Sequence, residues 1–122
     1  MRILIVDDED DARETLAEFF QDEGCAVSTA ANGAEALACL QSEELPSVVI
    51  LDLLMPLIDG NEVYERMQRD PRLAKVPVIV STSAPARAPS GVLIIKKPMN
   101  LSRLMSVVRQ CCATPPAPRE VA

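Results

Sequence analysis

The chain has 122 residues, 48% of them apolar but only three aromatic (Phe19, Phe20 and Tyr64), which is enough for one domain with an aliphatic core. It has no histidine, which excludes a Cys/His zinc site, a Ser-His or Cys-His catalytic unit and any histidine that itself carries phosphate. The net charge of −6 is uneven: residues 1–70 hold 17 acidic and 4 basic groups (−13), and residues 71–122 hold 1 acidic and 8 basic (+7). The basic groups are scattered without aromatic partners, which argues against nucleic-acid binding. No apolar run reaches membrane-spanning length, and the four apolar residues after Arg2 are too short for a signal peptide, so the expected location is cytoplasmic. Cys25, Cys39, Cys111 and Cys112 show no CxxC spacing and read as reduced core fillers.

Short β-like runs alternate with helical patterns, as in an α/β chain. Ile3-Leu4-Ile5-Val6 is the first predicted strand and runs into Asp7-Asp8. Ala12, Leu16, Phe19 and Phe20 then recur at helical spacing up to Gly24, a C-cap glycine. Cys25 to Thr29 is a weaker second strand, and Asn32 with Glu35 makes a capping pattern ahead of Ala36, Leu37 and Leu40. Val48-Val49-Ile50-Leu51 is the third strand, ending at Asp52. After a loop with Pro56 and Gly60, a helix carrying Val63, Tyr64 and Met67 must stop before Pro71. The fourth strand covers about 76–80, because Pro77 is tolerated only near a strand start, and Thr82 follows it.

Residues 81–91 break the alternation. Pro85 and Pro89 exclude a regular helix where a crossover normally has one, leaving a loop or a stunted turn. The fifth strand, 92–95, leads to Lys96-Lys97-Pro98. Asn100 then caps a last helix bearing Leu101, Leu104, Met105, Val108 and Cys111 or Cys112. A domain over 1–112 and a disordered Pro-rich tail over 113–122 are expected. The predicted architecture is a flavodoxin-like, doubly wound, five-stranded parallel sheet in the order 2-1-3-4-5, with the fourth crossover helix missing or stunted.

In that order the carboxyl ends of four strands bring Asp7, Asp8, Asp52, Thr82 and Lys97 to one crevice. Taken singly, each residue has a plain structural explanation. The acidic run from Asp7 to Asp11 suits a helix N-terminus, Asp52 a loop cap, Thr82 a strand and Lys97 a solvated surface. Together they form a set suited to a divalent cation and a phosphoryl group. Asp52 is the candidate carboxylate nucleophile, Asp7 and Asp8 hold Mg²⁺ with Asp52, Lys97 offers a point charge and Thr82 a hydrogen bond.

Ile-Leu-Ile-Val-Asp-Asp-Glu at 3–9, Ile-Leu-Asp-Leu-Leu-Met-Pro-Leu-Ile-Asp-Gly at 50–60, Pro-Val-Ile-Val-Ser-Thr-Ser at 77–83 and Lys-Lys-Pro at 96–98 resemble the receiver domain of two-component response regulators over residues 1–112. The resemblance implies that Asp52 accepts phosphate from a histidine on a partner kinase or histidine phosphotransfer protein. It adds the Leu54 carbonyl to the metal ligands, makes Thr82 a switch hydroxyl and Lys97 a phosphoryl clamp, and implies a cis Lys97–Pro98 bond. It fails at the fourth helix and at Ile94, where the family often has an aromatic ring. Leu54 and Ala84 stand at positions that tune phosphoaspartate hydrolysis in the family, and neither side chain can orient a water, so slow self-dephosphorylation is expected.

The resulting expectation is a single-domain receiver, a signalling protein and not an enzyme in the usual sense, acting through phosphorylation-dependent protein contacts or a phosphorelay. The alternative is a degenerate receiver that binds proteins without being phosphorylated. An aspartate-nucleophile phosphatase fits less well, because it needs a second acid where Leu54 stands.

Overall fold

The computed structural model describes residues 1–55, 58–98 and 100–113; Ala113, expected to begin the tail, is instead the last residue of a helix, and residues 114–122 of the expected tail, Pro56, Leu57 and Met99 lie outside the described residues. The elements are β1 (Arg2–Val6), α1 (Asp10–Asp22), β2 (Ala26–Ala30), α2 (Gly33–Leu40), β3 (Val48–Asp52), α3 (Gly60–Arg69), β4 (Val78–Thr82), β5 (Leu93–Lys96) and α4 (Leu101–Ala113). A single 3₁₀ turn, Pro85–Arg87, stands between β4 and β5. All strand pairs are parallel and the order is β2-β1-β3-β4-β5. The flavodoxin-like topology and the stunted fourth crossover are as the sequence implied.

The sheet divides the core by the period of two of a β-strand. Leu4, Val6, Val49, Leu51, Val78 and Val80 face one layer with Ala36 and Leu40 of α2 and Val63 and Met67 of α3. Ile3, Ile5, Val48, Ile50 and Ile79 face the other, with Leu16 and Phe20 of α1 and Leu104, Met105 and Val108 of α4. Central strands buried on both faces explain the unbroken aliphatic runs. β2, an edge strand, is largely exposed, which is why its pattern is weak. Strand ends differ from the sequence reading by one or two residues. The most consequential shift makes Asp52 and Thr82 the last residues of β3 and β4 instead of the first loop residues.

Local signals set the helix ends. The Asn32 side chain accepts from the Glu35 amide at 2.8 Å, and Glu35 Oε1 accepts from the Ala31 amide at 2.8 Å, two otherwise unpaired donors satisfied by two side chains. Gly24 follows α1 at φ +90°, a conformation that costs residues with a Cβ. Arg72 donates to the carbonyls of Leu40 and Ser42, at 2.7 and 2.8 Å, and so closes the end of α2 from a distant segment. Asn100 accepts from the Arg103 amide at 3.0 Å and starts α4.

The strap between β4 and β5 is held without a helix. Ala88 and Val92 pack on the α2/α3 layer, and Asn61 Nδ2 of α3 donates to the Arg87 carbonyl at 3.1 Å. This covers less of the sheet than a helix would: Leu93 and Ile94 of β5 remain 52% and 40% exposed.

Candidate functional site

The carboxyl ends of β1, β3, β4 and β5 meet at one edge, and the predicted residues converge there. Asp7, one residue past β1, is buried. Its amide donates to the Ala30 carbonyl at 3.1 Å, its Oδ1 accepts from the Glu9 amide at 2.9 Å, and its carbonyl accepts from Arg13 Nη1 at 2.8 Å. Two of these bonds hold the Asp7 backbone and the third holds Oδ1, which leaves Oδ2 for Lys97. Asp8 beside it is exposed, and Asp52 is buried at the tip of β3. Carboxylate oxygens of Asp7, Asp8 and Asp52 all lie within 4.8 Å of one another.

Lys97 Nζ lies 3.4 Å from Asp7 Oδ2 and 3.3 Å from Asp52 Oδ1. Both contacts exceed the roughly 2.7–2.9 Å of a strong charge-assisted bond, so the ammonium bridges two carboxylates without closing on either. Lys96 stays exposed on β5, and the Lys97–Pro98 peptide is cis. The Thr82 hydroxyl, buried at the tip of β4, accepts from the Ala84 amide at 2.9 Å, and the Thr82 carbonyl accepts from the Lys97 amide at 2.9 Å. Strand pairing thus ties hydroxyl, ammonium and strap into one unit. Leu54 is exposed two residues beyond Asp52.

The electrostatics describe a site short of positive charge. Burial pushes the Asp52 carboxyl up to about 6; Lys97 opposes this, while Asp7 and a hydrogen bond with Asp8 reinforce it. Lys97 loses solvent, which alone would lower its pKa, but Asp52 and Asp7 outweigh that and raise it. Three carboxyl groups cluster beside one ammonium that reaches only Asp7 and Asp52, which leaves unbalanced negative charge that a hard, oxygen-seeking dication would neutralise. Such a group fits this donor set.

Two supporting residues carried no signal as site residues in the sequence. Gly60 opens α3 directly over the end of β3: a Cβ there would lie 2.5 Å from the Asp52 carbonyl oxygen and 2.8 Å from Leu53 Cα. Its amide donates to the Leu53 carbonyl at 2.9 Å, and Asp59 caps the helix by accepting from the Glu62 amide at 2.9 Å. The Asp-Gly pair looks like a helix start; that it presses on the Asp52 backbone depends on where α3 lies. Arg13, spaced to pair with Asp10, also reaches the Asp7 carbonyl.

The family model for the response regulator receiver domain matches residues 3–109. The chain belongs to that family. Its relatives include a 14.6 kDa protein in the sodA1 3′ region of Leptolyngbya boryana, 34% identical over 95% of this chain and 94% of that protein. The response regulator Rre1 of Synechocystis sp. is 34% identical over 91% of this chain, which spans 51% of Rre1. The receiver domain of a signal transduction histidine kinase from Syntrophus aciditrophicus superposes with a TM-score of 0.81 at 27% identity, covering 92% of this chain and 89% of that one. The chemotaxis response regulator CheY4 of Vibrio cholerae gives 0.81 at 28% identity, covering 90% and 97%. Receiver domains are signalling modules of two-component systems that take phosphoryl groups from histidine kinases and bind Mg²⁺ in an acidic pocket, and this chain has an acidic cluster of Asp7, Asp8 and Asp52. Among the described residues, no helix is long and apolar enough to cross a membrane.

Proposed function

We propose that this receiver accepts a phosphoryl group on Asp52 from a phosphohistidine partner and signals, from the cytoplasm, through phosphorylation-dependent protein contacts or a phosphorelay. The observation that carries this is Lys97 Nζ held 3.3 Å from Asp52 Oδ1 and 3.4 Å from Asp7 Oδ2, beside three clustered carboxylates. An Asp52 oxygen attacks phosphorus as the phosphorus–nitrogen bond of the donor imidazole breaks. Lys97 exchanges its two long contacts for a phosphoryl oxygen. Thr82, one hydrogen bond from the strap, donates its hydroxyl proton to another. Asp7, Asp8, Asp52 and the Leu54 carbonyl would hold Mg²⁺, which supplies neutralising charge to the phosphoryl oxygens.

Mass spectrometry after incubation with acetyl phosphate and Mg²⁺ tests the assignment. One phosphoryl group is expected on the unaltered chain and none on Asp52→Asn; an unmodified wild-type chain would refute it. The second reading, a receiver that only binds proteins and is never phosphorylated, is favoured by one observation, the exposed Leu93 and Ile94 on β5. It requires that same experiment to give no adduct and partner capture to be indifferent to Asp52→Asn.

A further inference from the structure

Asp8 is the exposed member of the three clustered carboxylates, so burial does little to hold it beside Asp7 and Asp52, where like charges repel it. The backbone on either side of it is pinned instead. The Glu9 amide donates to Asp7 Oδ1 at 2.9 Å, and the Asp7 carbonyl accepts from Arg13 Nη1 at 2.8 Å. The second bond fixes the plane of the Asp7–Asp8 peptide, and with it the direction in which the Asp8 side chain leaves the backbone. Arg13 is unlike the other ion-paired arginines among the described residues: its side chain is 16% exposed, and each of theirs is at least 42% exposed. Paired with Asp10 alone, three residues away, it would be an ordinary helix contact of small effect. Its planar fork instead meets two acceptors at once, Nη1 on the Asp7 carbonyl and Nη2 on Asp10, which a lysine ammonium cannot reproduce.

We infer that Arg13 is a positioning residue for the metal, acting through the Asp7–Asp8 peptide to hold Asp8 in the cluster against repulsion from Asp7 and Asp52. The inference rests on the reading of that cluster as the Mg²⁺ pocket for phosphoryl transfer to Asp52. Arg13 has two effects on Mg²⁺, and they have opposite signs. Through its charge alone it repels a dication, so neutralising it would tighten binding. Through the carbonyl it keeps Asp8 facing the site, so removing it weakens binding. The second effect wins here. Asp10 blunts the charge by pairing with the guanidinium, whereas Nη1 is anchored on the peptide that joins two of the carboxylates. Groups that orient metal ligands typically change metal affinity by about 10–100-fold when removed.

The test is calorimetric titration of the full chain with MgCl₂, with Arg13→Gln and Arg13→Lys beside the unaltered protein. The dissociation constant of Arg13→Gln is expected to rise about tenfold, and that of Arg13→Lys, which keeps the charge but not the fork, to fall between the two. An unchanged or lower constant in Arg13→Gln, or equal constants in Arg13→Lys and the unaltered chain, would overturn the inference. Thermal unfolding in EDTA checks that each variant is folded; should Arg13→Gln not fold, the lysine variant decides by the same criterion. A second readout separates positioning from a general loss of structure. With acetyl phosphate, the Mg²⁺ concentration that gives half the maximal rate should rise by the same factor, and excess Mg²⁺ should recover the maximal rate. A rate lowered at every Mg²⁺ concentration, with half-saturation unchanged, would leave Arg13 a structural role only and overturn the inference. An unaltered chain that takes up no Mg²⁺ would bring down the reading of the cluster and this inference with it. Variants that match an unaltered chain which does bind Mg²⁺ would remove the role of Arg13 alone.

Discussion

Replacing Asp52 by Asn should stabilise the metal-free fold at neutral pH while abolishing phosphoryl acceptance. Asp52 is 5% exposed, and its pKa rises from an ordinary 3.8 to about 6 on folding, through burial first and Asp7 and Asp8 after it, less the opposing pull of Lys97. The folded state therefore holds this proton more tightly than the unfolded chain. Between those values unfolding releases a proton, so Asp52's own contribution to stability is most favourable below pH 3.8 and is lost as pH rises through about 6. At about 1.4 kcal/mol per pH unit, the gap costs the folded state about 3 kcal/mol at neutrality. The replacement amide does not titrate, and Asp7 and Lys97 remain in both proteins. The stability of Asp52→Asn relative to the unaltered chain should thus grow by about 2 kcal/mol from about pH 4 to about pH 7.5, and by about 3 kcal/mol over the full window. Urea unfolding in EDTA at several pH values measures it, provided the transition is two-state. A difference independent of pH, or one that shrinks towards neutrality, would refute a strained, cation-seeking Asp52.

Mg²⁺ should raise the thermal midpoint of the unaltered chain, by about 2.7 kcal/mol of stabilisation at a hundred times its dissociation constant, and do so less in Asp8→Asn; calorimetry with and without EDTA checks this. Gly60→Ala should destabilise the fold by about 1–3 kcal/mol and slow phosphorylation, because the new methyl meets backbone and not a yielding side chain; chemical unfolding and the rate with acetyl phosphate read the two effects separately. A phosphoryl mimic at Asp52 should change amide exchange in residues 82–91, since Thr82 holds the Ala84 amide; identical protection in both forms would count against that coupling. The phosphorylated chain should keep its phosphate far beyond minutes, because the Leu54 and Ala84 side chains offer no group to orient water; phosphoprotein gels over a time course decide it.

The aliphatic runs, the capping pair Asn32 and Glu35, and the prolines at 85 and 89 act over a few residues, so strand count, helix starts and the missing crossover helix were legible in the amino acids alone. Parallel strands joined by crossovers have few arrangements, and that restriction was enough to place Asp7, Asp52, Thr82 and Lys97 at one edge. The geometry at that edge was not legible. Lys97 poised between two carboxylates, Gly60 pressed on the Asp52 backbone and Arg13 on the Asp7 carbonyl depend on distances between segments that no local rule relates. The cysteines show the same limit: by spacing they were isolated fillers, and only the docking of α4 beside the α1–β2 turn gathers three of them on one core layer. Periodicity determines which face a residue takes, and chain packing determines what that face meets.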